Sequence, residues 1–261
     1  MKNKFYIYLI LLFLPFYFQL SYAKDLFINA STVDLDKDKK IIFASGAVEI
    51  KDQLNNTIYS EEAEYDKTKG IVKTLGPTKI ITSEKYIIEG RDIFYDDNKK
   101  IIYSKYQTKI KDIDKNQIFV QMFNYLTLKN MFFSKGDIEI IDSRSNKYSF
   151  SEIYIDEKKK KIVGSDIKSF INDIVLKDDK RNEPRFYGNS ATISQGNTIV
   201  EKGVFTTCKR RENNKCPPWT IRAKKIEHNN AKKTIYYHNA VMKIYDFPVF
   251  YFPKFLLKRS Y

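Results

Sequence analysis

Histidine, cysteine and glycine are scarce in this sequence of 261 residues, which has two, two and nine of them. Nucleophilic catalysis needs a base within reach of the nucleophile. His228 in "IEHNN" and His238 in "YYHNA" sit instead beside asparagines, in contexts that read as turns. No G-x-S-x-G, histidine-bearing metal motif, phosphate loop or dinucleotide fingerprint occurs. Acid pairs such as Glu61-Glu62 and Asp178-Asp179 read as lying in polar loops, whereas a glycosidase needs two carboxylates fixed on opposite sides of a cleft. We read the chain as non-enzymatic, with no cofactor and no metal. Cys208 and Cys216 fall short of the four ligands of structural zinc, and the histidines lie downstream at unsuitable spacing. In an oxidising compartment the two thiols make a candidate disulfide across a short loop. So few glycines also exclude the short glycine-rich repeats of calcium-binding solenoids.

Acidic residues are in deficit, 32 against 46 lysines and arginines, for a net charge of +14. A surplus of this sign ordinarily points to nucleic acid. Here the lysines cluster in Lys37 to Lys40, Lys99-Lys100 and Lys158 to Lys161, which reads as solvated loop tips. Long apolar runs are equally rare, and the one present opens the chain. Met1 to Lys4 carries two lysines, Phe5 to Leu20 no charge, and Ser21-Tyr22-Ala23 small residues at the cleavage positions. Residues 1–23 are expected to be a signal peptide cut after Ala23, which leaves an exported chain with no nucleic-acid partner. An uncleaved anchor is the rival, but the run is short of the roughly 20 residues of a span. No later segment is apolar for long enough to cross a bilayer as a helix.

What the sequence has in quantity is a repeat. Steps of thirty from Asp36 reach Asp66, Asp96 and Asp156, with Leu126 as the exception. Before each lies an alternating pattern, with the apolar columns Val33, Ala63, Ile93, Phe123, Ile153 and Leu35, Tyr65, Tyr95, Tyr125, Ile155 flanking a variable position. That is period two, a strand with one face buried. Polar turns follow ("DKDKK", "DKTKG", "DDNKK", "DEKKK"), each opened by an aspartate able to bond the backbone two residues on. A third apolar column is Ile42, Val72, Ile102, Phe132, Ile162, and a second strand closes each unit at Ile50, Ile80, Ile110, Ile140 and Phe170. Five turn-linked units without helical periodicity define an all-β fold of stacked antiparallel strands, because one hairpin alone cannot bury its apolar face. Periodicity leaves two interiors open, a packed core or a groove between splayed sheets.

After the repeats the texture changes. "FTTC" at Phe205 to Cys208, "PPWTIRAKKIEH" at Pro217 to His228, "YYHNAVMKI" at Tyr236 to Ile244 and "FPVFYFPKF" at Phe247 to Phe255 occur in that order. This stretch resembles the lipopolysaccharide-assembly protein (LptD) family, also called OstA or organic solvent tolerance protein, and the repeats look like OstA-type modules. The resemblance implies a V-shaped β-jellyroll over residues 24–245 at the periplasmic face of the outer membrane. Its interior would carry the lipid part of lipopolysaccharide, so the three apolar columns become the expected groove lining. It implies edge-strand pairing near Leu26 with a bridge protein of the LptA type, and an outer-membrane barrel with its plug lipoprotein downstream. Residues 246–261 would begin the barrel region, with Phe247, Phe250, Phe252 and Phe255 at the membrane interface and the barrel itself absent. It also implies that the cysteines can pair with the barrel. We expect a piece of a longer protein; a freestanding bridge or chaperone, a structural β-solenoid with a dry core and a polyanion-binding module are the alternatives.

Overall fold

The computed structural model describes residues 26–143, 145–170, 182–194, 196–208, 218–229, 231–232 and 234–258. Residues 1–23, expected to be a signal peptide, and Cys216 lie outside them.

The described chain is all-β and antiparallel, with nineteen strands in one continuous hydrogen-bonded sheet. The first are β1 (Phe27–Asn29), β2 (Thr32–Asp36), β3 (Ile41–Lys51), β4 (Thr57–Asp66) and β5 (Ile71–Ile81). Short pairs follow: β6 (Ile87–Arg91) and β7 (Phe94–Asp96), β8 (Ile101–Ser104) and β9 (Thr108–Lys111), β10 (Gln117–Val120) and β11 (Phe123–Leu126). Long strands return with β12 (Met131–Ile141), β13 (Lys147–Asp156), β14 (Lys161–Phe170), β15 (Asn182–Ser194), β16 (Asn197–Cys208), β17 (Trp219–Asn229), β18 (Thr234–Ile244) and β19 (Phe247–Lys258).

The sheet is folded on itself into two facing layers, as the register shows. The first half of β3 pairs with β2 and the second half with β1; β5 divides likewise between β7 and β6. Between the halves the ladder shifts, as at Ser45/Val48 and Lys135/Ile138. There the backbone takes positive φ at Gly46, Gly76 and Gly136, a conformation glycine adopts without strain. The sequence reading set the Ile42 column apart from the strand that closes the unit at Ile50. Instead one strand bends through a corner, because bulges let a ladder turn without breaking.

The repeat is therefore a repeat of backbone conformation. Positive φ recurs at Lys40, Gly70, Lys100, Asn130 and Lys160 in the turns of the first layer, and at Asn55, Lys85, Lys115 and Ser145 in those of the second. In the first set the predicted aspartates act as expected: Asp36 Oδ1 accepts from the amides of Asp38 (3.1 Å) and Lys39 (3.0 Å). Asp66 does the same at 2.9 and 3.0 Å. The second set, after Asp52, Asp112 and Asp142, was not read from the sequence. Each of these aspartates accepts the amide four residues on at 2.8 Å, and its Oδ2 accepts from the side-chain amide of Asn56, Asn116 or Asn146.

Three expectations fail locally. Glu61 and Glu62 lie within β4 rather than in a loop. His228 lies within β17, paired with Thr198 and Ile235, and His238 within β18, paired with Lys225 and Lys254, rather than in turns. Lys100 is not a solvated tip: its Nζ donates to Asp97, which is buried, and a buried carboxylate requires such a partner.

Candidate functional site

The predicted lining columns fall on one face of one layer, the face turned toward the other layer. In register they form an unbroken cross-strand row: Leu35, Ile42, Tyr65, Val72, Tyr95, Ile102, Tyr125, Phe132, Ile155, Ile162. Val33, Ala63, Ile93, Phe123 and Ile153 lie two residues along, nearer the corner, where their partners are small: Ala44, Thr74, Ser104, Ser134 and Gly164. Small residues let the two halves of a bent strand approach closely, and at Gly164 an added Cβ would lie 2.4 Å from Phe150 Cδ1.

The opposite wall was only half seen. It is a ladder of eight isoleucines in register, Ile28, Ile50, Ile58, Ile80, Ile88, Ile110, Ile118 and Ile140, ending in Tyr148. The sequence reading found the column containing Ile50 but not Ile58, Ile88 and Ile118. These recur at the same thirty-residue interval, so the signal was present.

In the central repeats the walls touch. Val72, Tyr95, Ile102, Phe123, Tyr125 and Phe132 are at most 1% exposed. Tyr125 stacks on Phe132 at 4.3 Å between ring centroids, and Tyr86 reaches Phe132 from the second layer at 6.2 Å. The interior is thus filled there by the protein's own side chains. Burial holds the Tyr95 and Tyr125 hydroxyls protonated well above the usual tyrosine range, with the Asp52 and Asp97 carboxylates acting in the same direction on Tyr95 and Glu157 on Tyr125.

At the N-terminal end the same face opens, whereas near the C-terminal end it stays covered as far as Tyr237. Val33 and Leu35, on the inner side of the edge strand β2, are 52% and 49% exposed. The inner row near the C-terminal end runs Gly164, Ala191, Val200, Ile226, Tyr237 and Phe255. Of the four phenylalanines expected at a membrane interface, Phe255 stacks on buried Tyr237 at 4.5 Å. Phe247, Phe250 and Phe252 are exposed on β19, which pairs with β18 alone among the described residues. Cys208 ends β16, and Arg185 donates to its carbonyl.

Among the described residues no group of three or more His, Cys, Asp or Glu is gathered as a metal site, and no helix is long and apolar enough to cross a membrane.

No family model matches the sequence, and no curated protein matches it. Among solved structures, LptH from Pseudomonas aeruginosa, described as the LptA homologous periplasmic component of a lipopolysaccharide transport device, aligns with 54% of this chain and 82% of its own. Identity is 12% and the TM-score 0.25; the fold assignment rests on the hydrogen-bond register above, not on this likeness.

Proposed function

We propose that the chain is a non-enzymatic periplasmic carrier for the lipid part of lipopolysaccharide, in the manner of the LptD family that its C-terminal motifs resemble. The observation that carries the reading is the pair of in-register apolar rows. They face each other through the repeats, from β1 and β2 to β13, and the inner face is half-exposed at β2, with Phe255 half-buried on β19. An acyl chain leaves a membrane only where an apolar surface replaces it, at about 0.8 kcal/mol per methylene. On this reading a bridge protein of the LptA type pairs with the free edge of β1 and β2. Lipid then moves toward β19, where the outer-membrane barrel and its plug lipoprotein take over.

Photocrosslinking tests this directly. A photoreactive residue at Leu35, on the open end, and another at Tyr95, inside, are each expected to label lipopolysaccharide in cells, whereas one at outward-facing Asp34 is not. Absence of label at both inner positions would falsify the carrier.

One observation favours a second reading, a structural envelope scaffold: the central interior is packed. That reading predicts label at Leu35 at most and none at Tyr95.

A further inference from the structure

The two layers share backbone only along the corner. No backbone hydrogen bond joins a turn of one layer to a turn of the other among the described residues. On the side away from the corner the mouth is closed by side chains. Glu157, in a turn of the first layer, accepts from Thr82 Oγ1 (3.0 Å), in a turn of the second, and from Tyr125 (2.8 Å). Asn130 Nδ2 donates across the mouth to Ser83 Oγ at 2.8 Å. One level nearer the N-terminus, the Tyr95 hydroxyl donates to Asp97 Oδ1 at 3.3 Å, with the Asp52 carboxylate of the second layer close enough to act on it electrostatically. Glu157, Thr82, Asn130, Asp52 and Asp97 are all nine-tenths or more buried.

The repeat shows that this cluster departs from turn chemistry. At thirty-residue spacing the second-layer turns open with Asp52, Thr82, Asp112 and Asp142, so threonine stands only where Glu157 is opposite. An aspartate there would set two carboxylates face to face, which is unfavourable. The hydroxyl still accepts the Tyr86 amide (3.1 Å), as the aspartates accept theirs, and its proton is free for Glu157. The partner asparagine of the other turns is replaced at the same level by Tyr86, which packs on Phe132.

Resting on the carrier reading, we infer that these bridges form a clasp, and that parting them, with the corner as hinge, is how the filled interior admits an acyl chain. The mouth side is the one direction in which the layers can separate without breaking a strand ladder. The groups facing the Glu157 carboxyl are Thr82, Tyr125 and Asn130 in contact, with Tyr86 and Glu84 near it. Burial and the Glu84 charge raise its pKa to about 7. The bonds from Tyr125 and Thr82 favour the ionised carboxyl, but burial outweighs them, so the closed mouth is favoured when the carboxyl is protonated and loosens as pH rises through neutrality.

The test uses the full chain with Cys208→Ser and Cys216→Ser, and spin labels on cysteines replacing the exposed Lys85 and Lys158, one on each side of the mouth. Double electron–electron resonance is expected to show a longer, broader distance distribution in Thr82→Val and in Glu157→Ala. It should also lengthen in the parent between pH 6 and pH 8 but not in Glu157→Gln. Unchanged distances in both Thr82→Val and Glu157→Ala overturn the clasp, and the mild threonine variant keeps the test informative if the alanine variant does not fold. In a separate Ser83→Cys/Asn130→Cys chain, oxidation is expected to cut uptake of cis-parinaric acid at least tenfold and reduction to restore it. Measurable and equal uptake in both states also overturns the clasp. Labels that part while neither state takes up the acyl probe uphold the clasp and refute the carrier reading.

Discussion

At the scale of single residues, Glu157 and Phe132 carry the sharpest consequences. A carboxyl whose pKa is raised by folding, here from 4.5 to about 7, binds its proton more tightly in the fold than in the unfolded chain. Its contribution to stability is full below about pH 4.5 and is lost as pH rises toward 7. Glu157→Gln keeps the shape without the titration. Denaturant melts of the two proteins should therefore agree near pH 4 and diverge by roughly 3 kcal/mol at pH 8 in favour of the variant. A constant difference across that range would mean that Glu157 does not titrate in the mouth. Phe132, buried between Tyr86, Tyr125 and Phe123, is a packing residue whatever else it does. Phe132→Ala is expected to cost about 3 to 5 kcal/mol by the same melts. A loss under about 1 kcal/mol would show a space already present where the layers touch.

At the scale of elements, the strands were legible and their bends were not. Alternation from Val33 to Ile155 fixed the inward face, because a strand's side chains alternate and only one face is apolar. The turns opened by Asp36 and Asp66 were legible because an aspartate at that place bonds its own backbone. Where Leu126 replaces it, the turn keeps a backbone bond from Lys129 to Leu126 (3.1 Å) and positive φ at Asn130. The corner was misread because glycine before a β run signals a turn as well as a bulge, and Gly46 and Gly76 serve as bulges. Gly76 separates conformational from steric causes, since an added Cβ there meets nothing within 4 Å and its φ is +79°. Gly76→Val should therefore destabilise by about 1 to 2 kcal/mol through backbone strain alone, and Gly76→Asn by less. At Gly188, where an added Cβ falls 2.2 Å from Val200 Cγ1, asparagine should be as harmful as alanine or worse. Equal losses for valine and asparagine at Gly76 would contradict the bulge account.

At the scale of the whole molecule, the stack is a folded sheet with a closed middle and an open N-terminal end. Periodicity says which way a side chain points, not how far away the opposite wall stands. The inward-facing columns were therefore legible as a set of residues, while their packing against the isoleucine ladder was not. Nor was the clasp, which appears only when exceptions to the repeat, Thr82, Tyr86 and Glu157, are brought together by the second fold of the sheet. The edges follow from the same architecture. β1 and β2 leave one end of the ladder unpaired and β19 the other among the described residues, and exposed apolar edges of this kind invite strand addition. The basic surface supplies the competing explanation for any binding of lipopolysaccharide, which is a polyanion as well as a lipid. The most direct measurement is a titration of the purified chain with lipopolysaccharide and with the same material stripped of its acyl chains, at low and at physiological salt. The carrier account predicts that deacylation abolishes binding while salt changes it little. Equal affinity for both forms, falling steeply with salt, would contradict it and assign the interaction to the lysines.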